Sequence, residues 1–154
     1  MSSPAGSSTI GGGEAGEELD SEPLTDAVRD FPVAVVIHVE GAIRYANLAA
    51  ARLHGMQSPI SLVGCQAREF VHPDDLSQAL ERGRRVRETG IAAPPMDLRL
   101  RRQDGGYVPV QSHISLTHFK GEAAVLAVYS DISEKKAAEE ALRQSEANLR
   151  YVMD

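Results

Sequence analysis

The sequence predicts an α+β fold: a five-stranded antiparallel sheet with short helices on one face, followed by a C-terminal helix of coiled-coil type. Runs rich in β-branched residues surround two turn signals, Glu40-Gly41 and Asp104-Gly105-Gly106. A strong helical pattern lies between the two hairpins, and the last twenty residues repeat apolar positions at heptad spacing. Because strands and helices are grouped rather than strictly alternating, antiparallel pairing is expected.

The N-terminal residues 1–23 differ in composition from the rest of the chain. They are rich in Gly and Ser, carry acidic residues and contain no Lys or Arg. Such a segment cannot bury enough apolar surface to fold, so it is predicted to be a disordered tail. The ordered domain is predicted at residues 24–133, with a short helix within "EPLTDAVRDF" and a further helical segment at residues 134–154.

The stretch "PVAVVIHVEGAIRYAN" predicts the first hairpin, with Gly41 supplying the turn geometry. Asn47 is a good helix cap, so a short helix is expected from there to Gly55. The next stretch, "LVGCQAREFVHPDD", is expected to be irregular with one helical turn. At "HPDDLSQALERGRRVRETG" a longer helix should begin near Pro73, with Leu80 among its apolar positions, and end at Gly90.

Three strands follow this helix. Alternation on both sides of Asp104-Gly105-Gly106 predicts the second hairpin. The last run, "EAAVLAVYSDIS", is almost continuously apolar, which is typical of a central strand that is covered on both faces.

The closing helix carries a seam of apolar and small residues in alternating steps of four and three: Ala138, Leu142, Ser145, Leu149 and Val152. A helix in water needs a partner for its apolar face, and the preceding domain offers it none. The sequence therefore predicts a parallel homodimer joined through this helix.

Composition argues against several classes of function. Lys and Arg number 16 against 22 Asp and Glu, a net charge of -6, which disfavours nucleic acid and anionic membranes as partners. The single cysteine, Cys65, excludes a disulfide framework and a multi-thiolate zinc site, and it fits a cytoplasmic location. No apolar run is long enough to span a membrane and no signal peptide is evident, so membrane contact is not expected.

Several stretches, in this order, resemble the PAS domain, a sensory fold of five antiparallel strands. They are "AVVIHVEGAIRYANLAAARLHG", "LVGCQAREFVHPDD", "RRQDGGYVPV" and "YSDISEKKAAEEALRQSE". The last resembles the Asp-Ile-Thr motif that joins the sheet to an output helix, with Ser133 in place of Thr. The resemblance covers about residues 24–133 and implies a sensory module of a bacterial-type signalling protein, such as a histidine kinase or a cyclic-dinucleotide enzyme.

The resemblance also implies that Asp131, Ile132 and Ser133 couple the domain to the helix. The aspartate is expected to pair with a nearby arginine and the serine to cap the helix. The end "EANLRYVMD" looks like the opening helix of another PAS repeat, so a further output module is expected to follow in a longer chain.

Cofactor chemistry is not expected along two routes that the family uses. In flavin-binding relatives that form a thiol adduct, the reactive cysteine stands three positions after a Gly that corresponds to Gly64, and Ala67 occupies that position here. Cys65 is out of register and is expected to be an ordinary small apolar residue. Haem-binding relatives use a histidine of the long helix, and residues 76–89 contain none. The cofactor therefore stays unknown.

The histidines do not predict a metal or catalytic site. His113 and His118 are an odd number of residues apart on one predicted strand and should point to opposite faces. His72 is expected to cap the long helix, and His54 to be an imidazolium favoured by a helix end. The arginines of the long helix are expected to be solvated surface: Arg82, Arg84, Arg85 and Arg87.

A pocket between the sheet and the short helices is the remaining candidate site. Its predicted lining is apolar: Val36, Phe70, Val86, Leu98, Ile114 and Leu126. These residues fit either a filled core, which the sequence favours, or a cavity for a small apolar ligand.

Three functions remain open. A sensory and dimerisation module would relay a ligand or a partner contact through the junction to the output helix. A ligand-free module would only dimerise and space other domains. An enzyme ranks last, because no nucleophile, phosphate loop or metal cluster is apparent in this chain, although a longer protein can carry a kinase or cyclase domain.

Overall fold

In the computed structural model, residues 24–153 are described, and the predicted tail at residues 1–23 lies outside them. Helix α1 covers residues 24–28. The remaining elements, in chain order, are β1 (Ala34–Val39), β2 (Ala42–Ala46), α2 (Leu48–Leu53), a 3-10 turn (Pro59–Ser61), a second 3-10 turn (Ala67–Phe70), α3 (Pro73–Thr89), β3 (Met96–Arg101), β4 (Tyr107–Phe119), β5 (Glu122–Asp131) and α4 (Ser133–Met153).

The five strands form one antiparallel sheet in the order β2-β1-β5-β4-β3. The predicted central position of the last strand is confirmed, because β5 pairs with both β1 and β4. The first hairpin turns where predicted: Glu40 and Gly41 both have positive φ, 50° and 87°, as a two-residue turn between twisted strands requires.

The sheet has an inner face covered by α2, α3 and the 3-10 turns, and an outer face. Directly paired residues of antiparallel strands share a face, so Val36 and its partner Ala127 both point inward. Ile37 and its partner Leu126 point outward, where they pack with Phe119 beside α1.

Asn47 ties the N-terminal half of the domain together. It caps α2 as predicted, since its Oδ1 accepts from the Ala50 N–H at 3.0 Å, and it also accepts from the Val35 N–H at 2.9 Å. Its Nδ2 donates to the Val28 and Val33 carbonyls at 2.8 and 2.9 Å. The side chain is only 1% exposed, so its full hydrogen-bonding capacity is used inside the protein.

Helix α3 has the predicted bounds, with His72 as its cap and Gly90 in the left-handed conformation at its end. Its buried positions are Gly83 and Val86, whereas Leu80, predicted on the same face, is 49% exposed. Packing of α3 against β4 and β5 therefore rests on fewer apolar side chains than the pattern suggested. As a result, a space remains between α3 and the sheet.

Candidate functional site

A cavity of about 330 Å³ lies between α3 and the inner face of the sheet. Its walls come from β1, β3, β4, β5, α3 and the second 3-10 turn. The sheet contributes an apolar wall, which we define as Leu98, Ile114 and Val125. The volume lies at the lower end of the range usual for small-molecule sites. This part of the molecule is therefore not the filled core that the sequence favoured.

Polar side chains line the cavity among apolar ones, and they come from both the sheet and the helix. Arg82, Arg87 and Arg68 are among them, together with His38 and Tyr129. The prediction that the arginines of α3 are solvated surface is therefore wrong for Arg82, which is partly buried, whereas Arg87 lines the cavity and is also exposed to solvent. Arg82 is turned toward the sheet and donates to Ser112 of β4, while Arg84 and Arg85 face solvent and pair with Glu81.

Arg82 is held in place by backbone and hydroxyl oxygens. Its Nε and Nη2 donate to the Pro94 carbonyl at 3.1 and 3.0 Å. Nη2 also donates to the Ser112 carbonyl at 2.6 Å, and Nη1 donates to Ser112 Oγ at 3.1 Å. Four of the five N–H donors of the guanidinium are used, and every acceptor is an uncharged group.

His38 lies near the C-terminal end of β1 and is paired with Val125 of β5. Its Nδ1 is buried and has no hydrogen-bond partner within the part of the chain that the structure describes. Burial, assisted by the Arg87 charge, lowers the pKa of His38 to about 4, so the imidazole is neutral near pH 7. A buried polar atom without a partner is uncommon in proteins and indicates a position where a ligand or water can bind.

Tyr129 lies beside Arg82 in the cavity wall. Burial raises the pKa of Tyr129 to about 12, although the charge of Arg82 opposes the increase. The hydroxyl therefore keeps its proton throughout the physiological pH range and can donate a hydrogen bond.

Two of the six predicted lining residues, Leu98 and Ile114, line the cavity. Val36 and Phe70 lie in the hydrophobic cluster beneath α2, and Val86 packs directly against Ile114. Leu126 lies on the outer face, because its register with Ile37 turns it away from the helices. His38 was not predicted from the sequence, although its period-two spacing from Val36 in an otherwise apolar strand was a usable signal.

The position that a reactive cysteine takes in flavin-binding relatives, Ala67, lines the cavity. Cys65 packs at the edge of the α2 cluster and its Sγ lies 3.5 Å from the Ser61 carbonyl. In the described part of the chain, no group of three or more His, Cys, Asp or Glu side chains is arranged to hold a metal ion.

The remaining histidines have structural environments. His72 caps α3 as predicted, with its Nδ1 accepting from the Asp74 N–H at 3.0 Å. His54 is 3% exposed, and burial lowers its pKa, so the expected imidazolium is corrected to a neutral ring. Its Nδ1 lies 2.7 Å from the Arg101 carbonyl and therefore carries the proton.

The junction between β5 and α4 is built differently from the expectation. Asp131 Oδ1 accepts from the Ser133 N–H at 2.8 Å, so the aspartate and not the serine caps the helix. No arginine among residues 24–153 forms an ion pair with Asp131. Ile132, 8% exposed, anchors the junction, and its N–H donates to the Pro109 carbonyl of β4 at 3.0 Å.

Near its start, helix α4 contacts the domain through Lys136, whose Nζ lies 3.6 Å from Asp97 Oδ2 of β3. Along the predicted seam, Leu142 and Leu149 are 60% and 61% exposed, and Val152 is 79% exposed. Within residues 24–153 no helix combines the length and apolar character needed to cross a bilayer.

Comparison with known proteins identifies the family. A sequence profile described as PAS domain matches residues 32–134. Among curated proteins, the chain is 27% identical over 119 residues to sporulation kinase A of Bacillus subtilis. That match covers 77% of this chain but only 19% of the kinase, so this chain spans about a fifth of the kinase's length.

Solved structures show the same fold at low identity. One is a sensory box histidine kinase/response regulator from Burkholderia thailandensis, with a TM-score of 0.62 and 23% identity over 83% of this chain and 98% of that chain. Another is a PAS domain from Colwellia psychrerythraea, with a TM-score of 0.63 and 17% identity over 73% of this chain and 97% of that chain.

Proposed function

We propose that this chain, which belongs to the PAS domain family, is the sensory module of a larger signal-transduction protein and relays an input at its cavity to α4. One observation carries the proposal: the strand that lines the cavity also leads into the helix. Val125 and Tyr129 of β5 line the cavity, and β5 continues through Asp131 and Ile132 into α4. A ligand that displaces β5 would therefore move the start of α4.

The junction is suited to such a relay because few contacts hold it. The Asp131 cap and the Ile132 bond to Pro109 set the direction in which α4 leaves the sheet. The ion pair between Lys136 and Asp97 is about half exposed on both sides and adds little stability. Small changes in β5 can then rotate or shift the helix without unfolding the domain.

We further propose that α4 pairs in parallel with α4 of a second copy. A 21-residue helix without a packed apolar face is only marginally stable in water. Pairing along the seam would bury Leu142 and Leu149 and carry the signal as a change in helix register or rotation. The segment at residues 134–154 would then lead to an output module, a histidine kinase or a cyclic-dinucleotide enzyme, in the cytoplasm.

A ligand-free module that only dimerises and spaces other domains is the second candidate, supported by the same exposed seam. The two candidates differ in whether an input shifts an equilibrium between two states. A ligand with equal affinity for both states would shift nothing.

Replacing Leu142 and Leu149 with Asp is expected to convert a dimer into a monomer, because each change places a charge in the proposed seam. Multi-angle light scattering at matched concentrations measures the mass. Gln144→Asp with Ala147→Asp adds the same charge at exposed positions outside the seam and should leave the dimer intact. An unchanged mass for the seam variant would exclude pairing through α4.

Asp131→Ala is expected to abolish regulation while leaving the domain folded, because it removes the side-chain cap at the start of α4, worth about 1 kcal/mol. The readout is the activity of a fusion in which α4 continues in heptad register into a histidine kinase. Circular dichroism checks the fold. Asp131→Asn keeps the acceptor oxygen and should retain regulation. Normal regulation by Asp131→Ala would contradict a relay through this residue.

A further inference from the structure

The arginines of α3 divide into two groups with different partners. The outward ones are neutralised, since Arg84 pairs with Glu81 and Glu88, and Arg85 pairs with Glu81. The inward arginines, which we define as the partly buried Arg82 and the more exposed Arg87, line the cavity and have no carboxylate within ion-pair distance among residues 24–153. The cavity therefore contains positive charge that the described protein does not compensate.

Each inward arginine is placed by a specific feature. Arg82 is fixed by the oxygens of Pro94 and Ser112, which orient the guanidinium without cancelling its charge. Arg87 lies over Gly83, where an added Cβ would be 3.3 Å from Arg87 Nη1. A glycine inside a helix is less stabilising than alanine. Here the missing side chain leaves room for the guanidinium at the cavity.

His38 is a third polar residue that lines the same space. His38 Nδ1 is buried without a partner, and a neutral imidazole can place its proton on that atom. Charge-assisted hydrogen bonds are about twice as strong as neutral ones, so an anion would satisfy the imidazole and both guanidiniums together. Among residues 24–153, the carboxylate that lines the cavity is that of Glu40, which is exposed at the turn between β1 and β2.

We propose that the cavity binds a small organic carboxylate, with its carboxylate group facing the inward arginines and His38 and an apolar body against the apolar wall. This inference rests on the proposed function, because it names the chemical class of the input. It replaces the small apolar ligand that the sequence suggested. A neutral apolar molecule would cover the guanidiniums without replacing the water that solvates them, which costs binding free energy.

The test uses pairs of probes that share a body and differ in charge: benzoate with benzamide, and hexanoate with hexanamide. Each is titrated into the full 154-residue chain while backbone amide shifts of His38, Ser112 and Ile114 are followed by NMR. The carboxylates are expected to bind at least tenfold more tightly than their amides. Inorganic phosphate is the third arm and should bind more weakly than either carboxylate, because it has no body to cover the apolar wall.

Two variants of α3 test the charge directly. Arg87→Gln should weaken benzoate binding at least tenfold, and Arg84→Gln should change it less than twofold. Both remove one positive charge from the same helix, but only Arg87 lines the cavity. Circular dichroism verifies that both variants are folded, and because no ion pair within residues 24–153 involves Arg87, its loss is not expected to disturb the fold.

The inference is overturned if amides bind as tightly as carboxylates, if phosphate binds as tightly as they do, if no carboxylate shifts the cavity amides at millimolar concentration, or if Arg84→Gln is as damaging as Arg87→Gln. Its failure is distinguishable from that of the proposed function. A neutral probe that binds and regulates the kinase fusion would leave the sensory function intact and reject the carboxylate. A carboxylate that binds without changing kinase activity would support the inference and contradict the relay.

Discussion

Asn47→Ala is expected to lower the free energy of unfolding by about 4 kcal/mol, one of the largest effects of any single substitution in this domain. The change removes four hydrogen bonds to the backbone and leaves buried groups of Val28, Val33 and Val35 unpaired. It also removes the cap of α2. Urea denaturation measures the effect as a lower midpoint with an unchanged slope.

Two further substitutions separate the roles of Asn47. Asn47→Ser keeps a capping oxygen but loses the donors to Val28 and Val33, so an intermediate loss of about 2 kcal/mol is expected. Asn47→Asp keeps both acceptor positions and buries a carboxylate, so it should be at least as destabilising as alanine at pH 7. If serine restored full stability, the residue would be only a helix cap and not a link between α1, β1 and α2.

The second large effect is a loss of stability in acid that depends on His38. The pKa of His38 is lowered from 6.5 to about 4 in the folded protein. Above pH 6.5 the imidazole is neutral in both states, so it has no effect on the pH dependence. As pH falls from 6.5 to 4 only the unfolded chain takes up the proton, so stability falls by roughly 3 kcal/mol. Below pH 4 the loss is complete.

The measurement is the free energy of unfolding of the wild type and of His38→Phe between pH 7.5 and 3.5. Phenylalanine keeps an aromatic ring and removes the titrating group. The free energy of unfolding of the variant should therefore fall by roughly 3 kcal/mol less than that of the wild type over this pH range. His54, whose pKa burial also lowers, remains in both proteins, as do all carboxylates, and cancels in the difference. Parallel curves would show that His38 is not buried in its neutral form.

Much of the local structure was predictable because its causes lie within a few residues of chain. The Glu40-Gly41 turn, the Asn47 cap and the bounds of α3 each follow from nearby side-chain chemistry. The face of the sheet on which Leu126 lies could not be predicted from nearby residues. The β5 run is apolar on both sides, so its composition does not reveal which residues point inward until pairing with Ile37 sets the register.

The candidate site was predicted only in part for a related reason. Leu98 and Ile114 were recognised because inward strand positions alternate with polar ones. The place of Arg82 in the cavity lining was missed. A run of arginines on a helix indicates solvated surface unless the position of the neighbouring sheet is known. Likewise, Asn47 was predicted as a cap, whereas three of its four side-chain hydrogen bonds join residues at least twelve positions away.

By itself, the sequence determined the five strands, the long helix, the exposed seam of α4 and membership of the PAS family, since these depend on periodicity, turn residues and motifs that are local in the chain. Only the tertiary structure decided that a cavity exists and that it is positively charged. Its lining comes from elements as far apart in sequence as β1 and β5. A cavity is the space that packing leaves between such elements, and its charge depends on which side chains their register turns toward it.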